Sequence, residues 1–187
     1  YDFRLNVVTS RLEYKTKSEI EYRDAEDYDI SSIYREIQHK GIIFSNDKLH
    51  HLLNSRFVEK LDPVKEYFNR LQKWDGITDH ISELADTILL RDPDKKDYWT
   101  QCLRKFLVAY VGCAIDESIT NETSIIFYGD QGIGKTKWLN RLFPTSLDPK
   151  KYLYVGNVYD NKDDKLNIST KLLINLDELA SLNRQEI

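Results

Sequence analysis

The chain has 187 residues, of which 41% are hydrophobic and 12% aromatic, enough for a packed core in one ordinary domain or two small ones. The formal net charge is −4, and basic and acidic residues are interspersed, so charge gives no global sign of nucleic-acid binding, although a local basic track stays open. No apolar run approaches the roughly 20 residues that span a bilayer, and the first residues carry no secretory signal.

The first region, 1–61, is predicted to be a β-hairpin followed by helices. Residues 3–7 and 12–16 alternate apolar and polar side chains on either side of a short turn, which predicts two antiparallel strands. A helix follows, with Asp29 or Ser31 as its candidate N-cap and Gly41 as its C-terminal stop. Its apolar residues recur at helical spacing: Ile30, Ile33, Tyr34 and Ile37.

Residues 42–44 form a short apolar run that predicts a strand, and Ser45 then caps a second helix. The expected buried face of that helix is Leu49, Leu52 and Leu53. A helix, a short strand and a second helix are compatible with a small DNA-binding unit of winged-helix type. The same pattern is also typical of plain packing, and the sequence leaves both interpretations open.

The second region, 62–121, is predicted to be helical. Pro63 begins one helix, Thr78 begins another, and turns at 74–76 and 92–94 separate the helices. The apolar faces of the first two helices are Val64, Tyr67, Phe68 and Leu71, then Ile81, Leu84, Ala85, Ile88 and Leu89. The longest helix follows, and its core stripe is Trp99, Cys102, Leu103, Phe106, Leu107, Tyr110 and Ala114.

Two cysteines, Cys102 and Cys113, lie in that long helix. Their separation of eleven positions corresponds to roughly 16 Å at 1.5 Å per residue, whereas a disulfide requires Cα atoms within about 7 Å. We therefore expect two buried apolar thiols, which suits a reducing cytoplasm. No histidine has the cysteine pairs or the H-E-x-x-H spacing of a zinc site, so the histidines are expected at the surface.

The third region, 122–187, begins with residues 124–128, an apolar run typical of a buried parallel strand. The next residues match the pattern G-x-x-x-x-G-K-[ST] and lead into a predicted helix at 135–142. The matching residues are Gly129, Asp130, Gln131, Gly132, Ile133, Gly134, Lys135 and Thr136. A strand before this loop and a helix after it are the context that a phosphate-binding P-loop requires.

The residue types of this loop fit the binding of a nucleoside triphosphate, with ATP and Mg²⁺ expected. Its glycines let successive backbone amides turn toward phosphate oxygens, where a side chain would block the approach. Lys135 supplies a positive charge to the β- and γ-phosphates beside the positive end of the helix dipole, and Thr136 is expected to place its hydroxyl on Mg²⁺.

A second motif follows about forty residues later, where the apolar run 171–176 ends in Asp177 and Glu178. This is a Walker B pattern, in which Asp177 would hold the magnesium hydration shell and Glu178 would accept a proton from the attacking water. Adjacent carboxylates are also typical of a solvated turn, but the upstream P-loop favours the functional interpretation. An arginine would complete charge stabilisation in the transition state, and we assign this role to neither Arg141 nor Arg184.

From about Asp62 onward, the chain resembles the virulence-associated protein E family, P-loop ATPases of bacterial mobile elements and prophages. The hairpin and helices before Asp62 also look like the segment that precedes the ATPase core in that family. The residues that carry the resemblance are Asp62-Pro63-Val64, Tyr67-Phe68, Trp74-Asp75-Gly76, the helix from Trp99 to Ala114, the loop Gly129 to Thr136, Leu176-Asp177-Glu178-Leu179 and Asn183-Arg184-Gln185-Glu186.

The resemblance implies an α/β fold: a P-loop NTPase core preceded by a mostly helical region and an N-terminal hairpin with helices. It implies a cytoplasmic bacterial helicase or replication ATPase that binds DNA and assembles as a homo-oligomeric, hexameric ring in the full-length protein. Lys135 and Glu178 carry over as catalytic residues, with Thr136 and Asp177 at the metal. In the family, further strands, a sensor position and an arginine finger follow Glu178, so the core is expected to be incomplete at its C-terminus and weakly active.

Two other functions remain open from the sequence. The first is a nucleotide-gated binding or signalling module that hydrolyses little ATP. The second is a small-molecule kinase, because kinases also use P-loops. Glu178 beside Asp177 argues against a kinase, which must exclude the water that such a glutamate activates.

Overall fold

The computed structural model describes residues 1–158 and 161–176. The chain divides into two compact units, of which the first is Tyr1–Pro63 and the second begins at Val64. Within the described ranges, no helix combines the length and the apolar character needed to cross a membrane. Asp177, Glu178 and Arg184 lie outside the described residues.

The first unit contains a four-stranded sheet and two helices. Its elements are β1 (Asp2–Asn6), β2 (Arg11–Lys15), β3 (Arg23–Asp24), α1 (Asp27–His39), α2 (Asn46–Leu53) and β4 (Glu59–Leu61). The strand order is β3-β2-β1-β4, in which β4 runs parallel to β1 and the other pairs are antiparallel. The predicted hairpin is confirmed. The sequence analysis missed β3 and β4, because two or three residues are too few to show an alternating pattern.

Strand register sends the apolar residues of the hairpin to one face of the sheet. Phe3 pairs with Tyr14, and Leu5 pairs with Leu12, so these side chains share a face. Phe3, Leu5 and Leu12 pack against the buried cluster of Ile30, Leu49, Leu53 and Val58. The alternation of the hairpin thus builds the core of this unit with both helices on one side of the sheet.

The opposite face of the sheet buries a polar network around Glu13, whose exposed fraction is only 1%. The Glu13 carboxylate accepts hydrogen bonds from Arg4 Nε at 2.7 Å and from Asn6 Nδ2 at 2.9 Å. The Asn6 side-chain oxygen in turn accepts from the backbone amides of Val8 and Thr9, at 3.1 and 3.2 Å. Burial of these groups is tolerated because they pair with one another.

Helix α1 begins earlier than predicted. Its N-cap is Glu26, which forms a capping box with Asp29, so the expectation that Asp29 or Ser31 caps the helix was wrong. The carboxylate of Asp29 also accepts from the hydroxyl of Tyr14 on β2 at 2.7 Å, which engages Asp29 inside the first turn. The predicted stop is confirmed, since Gly41 follows the helix with φ of 81°.

The predicted strand at 42–44 is wrong, because the chain there forms no ladder and the Ile43 side chain is 94% exposed. Ser45 caps α2 as predicted, accepting a hydrogen bond from the Lys48 amide. Leu49 and Leu53 are buried, but Leu52 lies on the outer side of the helix. Within this unit, the helix–strand–helix pattern needed for a winged helix is therefore not formed.

The second part of the chain is mostly helical before a small parallel sheet. From Pro63 onward the elements are α3 (Pro63–Arg70), α4 (His80–Asp86), a 3₁₀ turn (Pro93–Lys95), α5 (Lys96–Ile115), α6 (Lys135–Asn140), α7 (Pro149–Tyr152), β5 (Leu153–Gly156), α8 (Lys162–Ser169) and β6 (Leu173–Leu176). The start of α3 at Pro63 and the long helix α5 are confirmed. The short elements α7, β5 and α8 were not predicted.

Asp75 organises the turn before α4. Its carboxylate accepts from the amides of Ile77 and Thr78 and from the Thr78 hydroxyl, which lowers the pKa of Asp75 to about 2. Asp79 rather than Thr78 caps α4, because Thr78 is engaged by the Asp75 carboxylate. The helix ends at Asp86, so the predicted apolar face stops short of Leu89, whose side chain is fully exposed.

Helix α5 buries Leu103 and Tyr110 as predicted, but the expectation that Cys113 is buried was wrong. The chain turns back after Ile115, and the Ile119 side chain packs against Gly112. The Cys113 thiol remains exposed and donates a hydrogen bond to the Ile119 carbonyl at 3.3 Å. Cys102 is half-buried, and both cysteines are free.

Strands β5 and β6 pair in parallel, from Leu153 opposite Leu173 to Gly156 opposite Leu176. Residues 124–128, predicted as a buried strand, form no ladder within the described chain, and Tyr128 is 96% exposed. A strand requires a neighbour for its backbone groups, and β5 and β6 pair with each other. The helix after the loop also ends at Asn140, two residues earlier than predicted, and β6 begins at Leu173.

Replacing Asn6 with alanine should lower the free energy of unfolding by about 2–3 kcal/mol, because the substitution leaves Glu13 and two loop amides short of buried hydrogen-bond partners. Urea unfolding followed by far-ultraviolet circular dichroism measures the change. The control Asn54→Ala removes one exposed bond to the His50 carbonyl and should cost less than about 1 kcal/mol. Equal losses in the two variants would contradict a stabilising role for the network.

Candidate nucleotide-binding site

The loop at 129–136 has a backbone that only glycine adopts readily. Gly129, Gly132 and Gly134 have φ of 155°, 85° and 90°. A side chain at such angles brings Cβ against the neighbouring carbonyl, and at Gly129 it would also come within 3.1 Å of Ile133. The glycine positions of the motif therefore correspond to positions where this loop turns sharply and leaves its backbone open to solvent.

Lys135 closes the loop upon itself. Its ammonium donates hydrogen bonds to the carbonyl oxygens of Gly129 at 2.9 Å and Asp130 at 2.7 Å. The side chain thus folds back from the first residue of α6 across the loop, and its positive charge lies beside the loop backbone. Helix α6 has only six residues, so we attribute the positive potential here mainly to Lys135 rather than to the helix dipole.

A buried asparagine connects the loop helix to β6. Asn175 is 4% exposed, and its side-chain amide donates to the Thr136 carbonyl at 3.2 Å and to Asn140 Oδ1 at 2.6 Å. The strand that carries Asn175 ends at Leu176, immediately before Asp177 in the sequence. The start of α6 and the end of β6 therefore lie side by side.

Aromatic side chains hold α6 on another side. Trp138 packs against Trp99 of α5 and against Phe127, with ring centroids 6.2 and 5.3 Å apart. The Trp138 indole also donates to the Thr87 hydroxyl at 2.8 Å, and the Trp99 indole donates to the Ala85 carbonyl at 3.2 Å. Trp138 therefore connects α6 to the C-terminal end of α4, and Trp99 connects α5 to the same end.

Lys171 secures the small sheet from its outer end. Its ammonium donates to the carbonyl oxygens of Lys150 and Lys151, at 3.1 and 3.0 Å, at the end of α7. Burial lowers the pKa of Lys171, and the negative charge of Asp148 partly opposes that shift. The segment before β6 is thus tied to the helix before β5, so the two strands stay in register.

The described structure brings together part of the predicted site. Residues 129–134 form an exposed loop that leads into α6 at Lys135, and Asn175 of β6 donates a hydrogen bond to the Thr136 carbonyl. Arg141 is an exposed residue at the opposite end of α6 from Lys135. Asp177 and Glu178 are outside the described residues, and nowhere in 1–158 or 161–176 do three His, Cys, Asp or Glu side chains gather as metal ligands.

Sequence reasoning missed two residues that support the loop. Asn175 had a detectable signal, since it is the polar member of an otherwise apolar run that ends in two carboxylates. Trp138 had a weaker signal, because an aromatic residue two positions after the motif is also compatible with ordinary packing. Neither pattern specifies which atoms the side chain reaches.

Comparison with protein families finds a match. The model of the virulence-associated protein E-like domain matches residues 68–187, which is well over half of the chain and includes every predicted site residue. Comparison with curated proteins gave no match.

Replacing Gly134 with alanine should destabilise the second unit by about 1–2 kcal/mol, because a Cβ is forced into the left-handed region at φ of 90°. No neighbouring atom lies within 4 Å of that Cβ, so the cost measures backbone strain rather than a clash. Urea unfolding followed by tryptophan fluorescence is suitable because Trp138 lies on α6 and packs against Trp99.

Lys137→Ala is the matched control, since it introduces the same residue at an exposed position of α6. It should change the free energy of unfolding by no more than about 0.5 kcal/mol. A Gly134→Ala variant as stable as this control would contradict the positive φ.

Proposed function

The chain belongs to the virulence-associated protein E-like family, and from that premise we propose that it is an ATP-binding and ATP-hydrolysing P-loop protein. The observation that carries the proposal is the loop in which three glycines have positive φ and the Lys135 ammonium lies beside the loop backbone. A polyphosphate fits such a loop, because backbone amides and a positive charge are the groups that bind phosphate oxygens.

Binding would exchange one set of partners for another. Phosphate oxygens would accept hydrogen bonds from the loop amides, and Lys135 would leave the carbonyls of Gly129 and Asp130 for the β- and γ-phosphates. The Thr136 hydroxyl and the Asp177 carboxylate are the residues that we propose to hold Mg²⁺, which when bound supplies positive charge against the developing charge on the phosphates.

Hydrolysis needs a positioned water more than covalent chemistry by the protein. We assign to Glu178 the acceptance of a proton from that water as its oxygen bonds to the γ-phosphorus. The bond between the γ-phosphorus and the bridging oxygen breaks, and ADP leaves with the electron pair. Lys135 stabilises the charge on the γ-oxygens, which is why both residues are proposed as catalytic.

The biological activity we propose is that of a DNA helicase or replication ATPase of a bacterial mobile element or prophage. This part rests on family membership and on the paired motifs, in which Glu178 follows Asp177 directly. The proposed partners are DNA and further copies of the chain in a hexameric ring, within which a neighbouring subunit would supply the arginine finger.

Lys135→Ala should weaken ATP binding by at least about 30-fold, because removing one partner of a charged hydrogen-bonded pair costs 2 kcal/mol or more. Isothermal titration calorimetry measures the affinity, and a thermal melt checks that the variant is folded. The matched control Lys137→Ala removes an exposed lysine from the same helix and should change the affinity less than about two-fold. Equal affinities in the two variants would exclude the loop as the site.

Glu178→Gln should keep ATP binding and lower DNA-stimulated phosphate release by about 100-fold or more, the effect typical of a lost general base. The full-length protein is assayed with and without single-stranded DNA. DNA-independent ATP turnover by a monomer would contradict the proposed helicase activity. Very slow turnover with ATP-dependent changes in partner affinity would favour a nucleotide-gated module, and phosphate transfer to a nucleoside or sugar without free phosphate would favour a kinase.

A further inference from the structure

In the described part of the second unit, Asn175 has a buried polar side chain. It lies in the middle of β6, where Leu173, two positions earlier on the same face, is apolar and buried. Removing an amide from water is costly unless hydrogen bonds replace its hydration. Asn175 meets this cost by donating to two acceptors, the Thr136 carbonyl and Asn140 Oδ1, and both acceptors belong to α6.

These two acceptors belong to residues that are four positions apart on α6, and a single Asn175 nitrogen reaches both. Residues four positions apart lie on the same face of a helix, so Thr136 and Asn140 present a vertical pair of groups to the strand. A bond to one of them fixes the distance between α6 and β6, and bonds to both also fix the rotation of α6 about its axis. Asn175 therefore constrains the direction in which the first turn of α6 presents its side chains.

That constraint acts on one group more than on the rest of the loop. Thr136 carries the hydroxyl that we assign to Mg²⁺, and its direction changes when α6 rotates. The loop amides and the flexible Lys135 side chain hold phosphate oxygens without needing that rotation to be fixed.

We propose that Asn175 is a positioning residue that holds the P-loop helix in the rotation required for Mg²⁺-dependent nucleotide binding. The proposal rests on the proposed function, because it assigns a further residue to the same site. The affinity for ATP then has two contributions. Phosphate binding by the loop does not require Asn175, whereas the increase in affinity that Mg²⁺ provides does.

The test compares ATP affinity with Mg²⁺ and with EDTA for the wild-type chain and for Asn175→Leu, by calorimetry or by tryptophan fluorescence. Leucine keeps the approximate volume and removes both donors. We expect affinity for Mg²⁺–ATP to fall about ten-fold, the effect of losing two ordinary hydrogen bonds, and affinity for metal-free ATP to fall less than about two-fold. The control Asn167→Leu makes the same change at an exposed position of α8 and should alter neither affinity.

Asn140→Ala is a second variant, which removes one acceptor and leaves β6 unchanged. It should lower Mg²⁺–ATP affinity about three-fold, and the double variant should be no weaker than Asn175→Leu alone, because both changes act through one bridge. This variant decides the proposal if Asn175→Leu fails to fold.

Equal loss of affinity with and without Mg²⁺ would overturn the proposal, since it would indicate only a general role in folding. Unchanged affinity in both conditions would overturn it as well. A wild-type chain that binds ATP in neither condition would instead refute the proposed function, and this result is distinct from both others.

Discussion

The second unit depends on a backbone constraint at its loop, where Gly129, Gly132 and Gly134 all have positive φ. Ordering this backbone has a high entropic cost, because a glycine loses more conformational freedom on folding than any other residue. A glycine also has no side chain whose contacts could offset that cost. The loop must therefore be held from outside. Lys135 restrains the loop by its hydrogen bonds to the carbonyls of Gly129 and Asp130. The other contacts restrain the loop through α6.

The remaining restraints explain why residues distant in sequence converge here. Thr87 and Trp99 belong to the helical segment before the motif, and Asn175 belongs to a strand almost forty residues after it, yet all three contact α6 or its aromatic neighbours. The helical segment is thus part of the support for the loop.

The sequence predicted features whose signal is local or strongly periodic. The hairpin, the Ser45 cap, the start of α3 at Pro63 and the long helix α5 are confirmed because each depends on a repeated pattern or on a single capping side chain. The predictions of strands at 42–44 and 124–128 were both wrong, and for the same reason. A short apolar run shows hydrophobicity but does not show whether another strand is available to pair with it.

The candidate site shows the same division. The motif at 129–136 predicted glycines where the backbone needs positive φ, and this is confirmed because the angle follows from residue type. The supports were not predictable, since the partners of Trp138 and Asn175 are set by tertiary packing. Trp99, likewise, was predicted only as part of a core stripe, and its indole bond to the Ala85 carbonyl requires the actual position of α4.

Two separate supports contact opposite sides of α6. At about 100° per residue, Trp138 is about 200° from both Thr136 and Asn140, so it lies on nearly the opposite side of the helix. The aromatic cluster therefore restrains one side of α6 and Asn175 restrains the other, while Lys137 between them stays exposed. The six-residue helix is thus restrained on two sides, and the direction of the Thr136 side chain depends on its rotation. A short helix that starts in a glycine-rich loop thus keeps a fixed orientation because packing on one side and hydrogen bonds on the other oppose the same rotation.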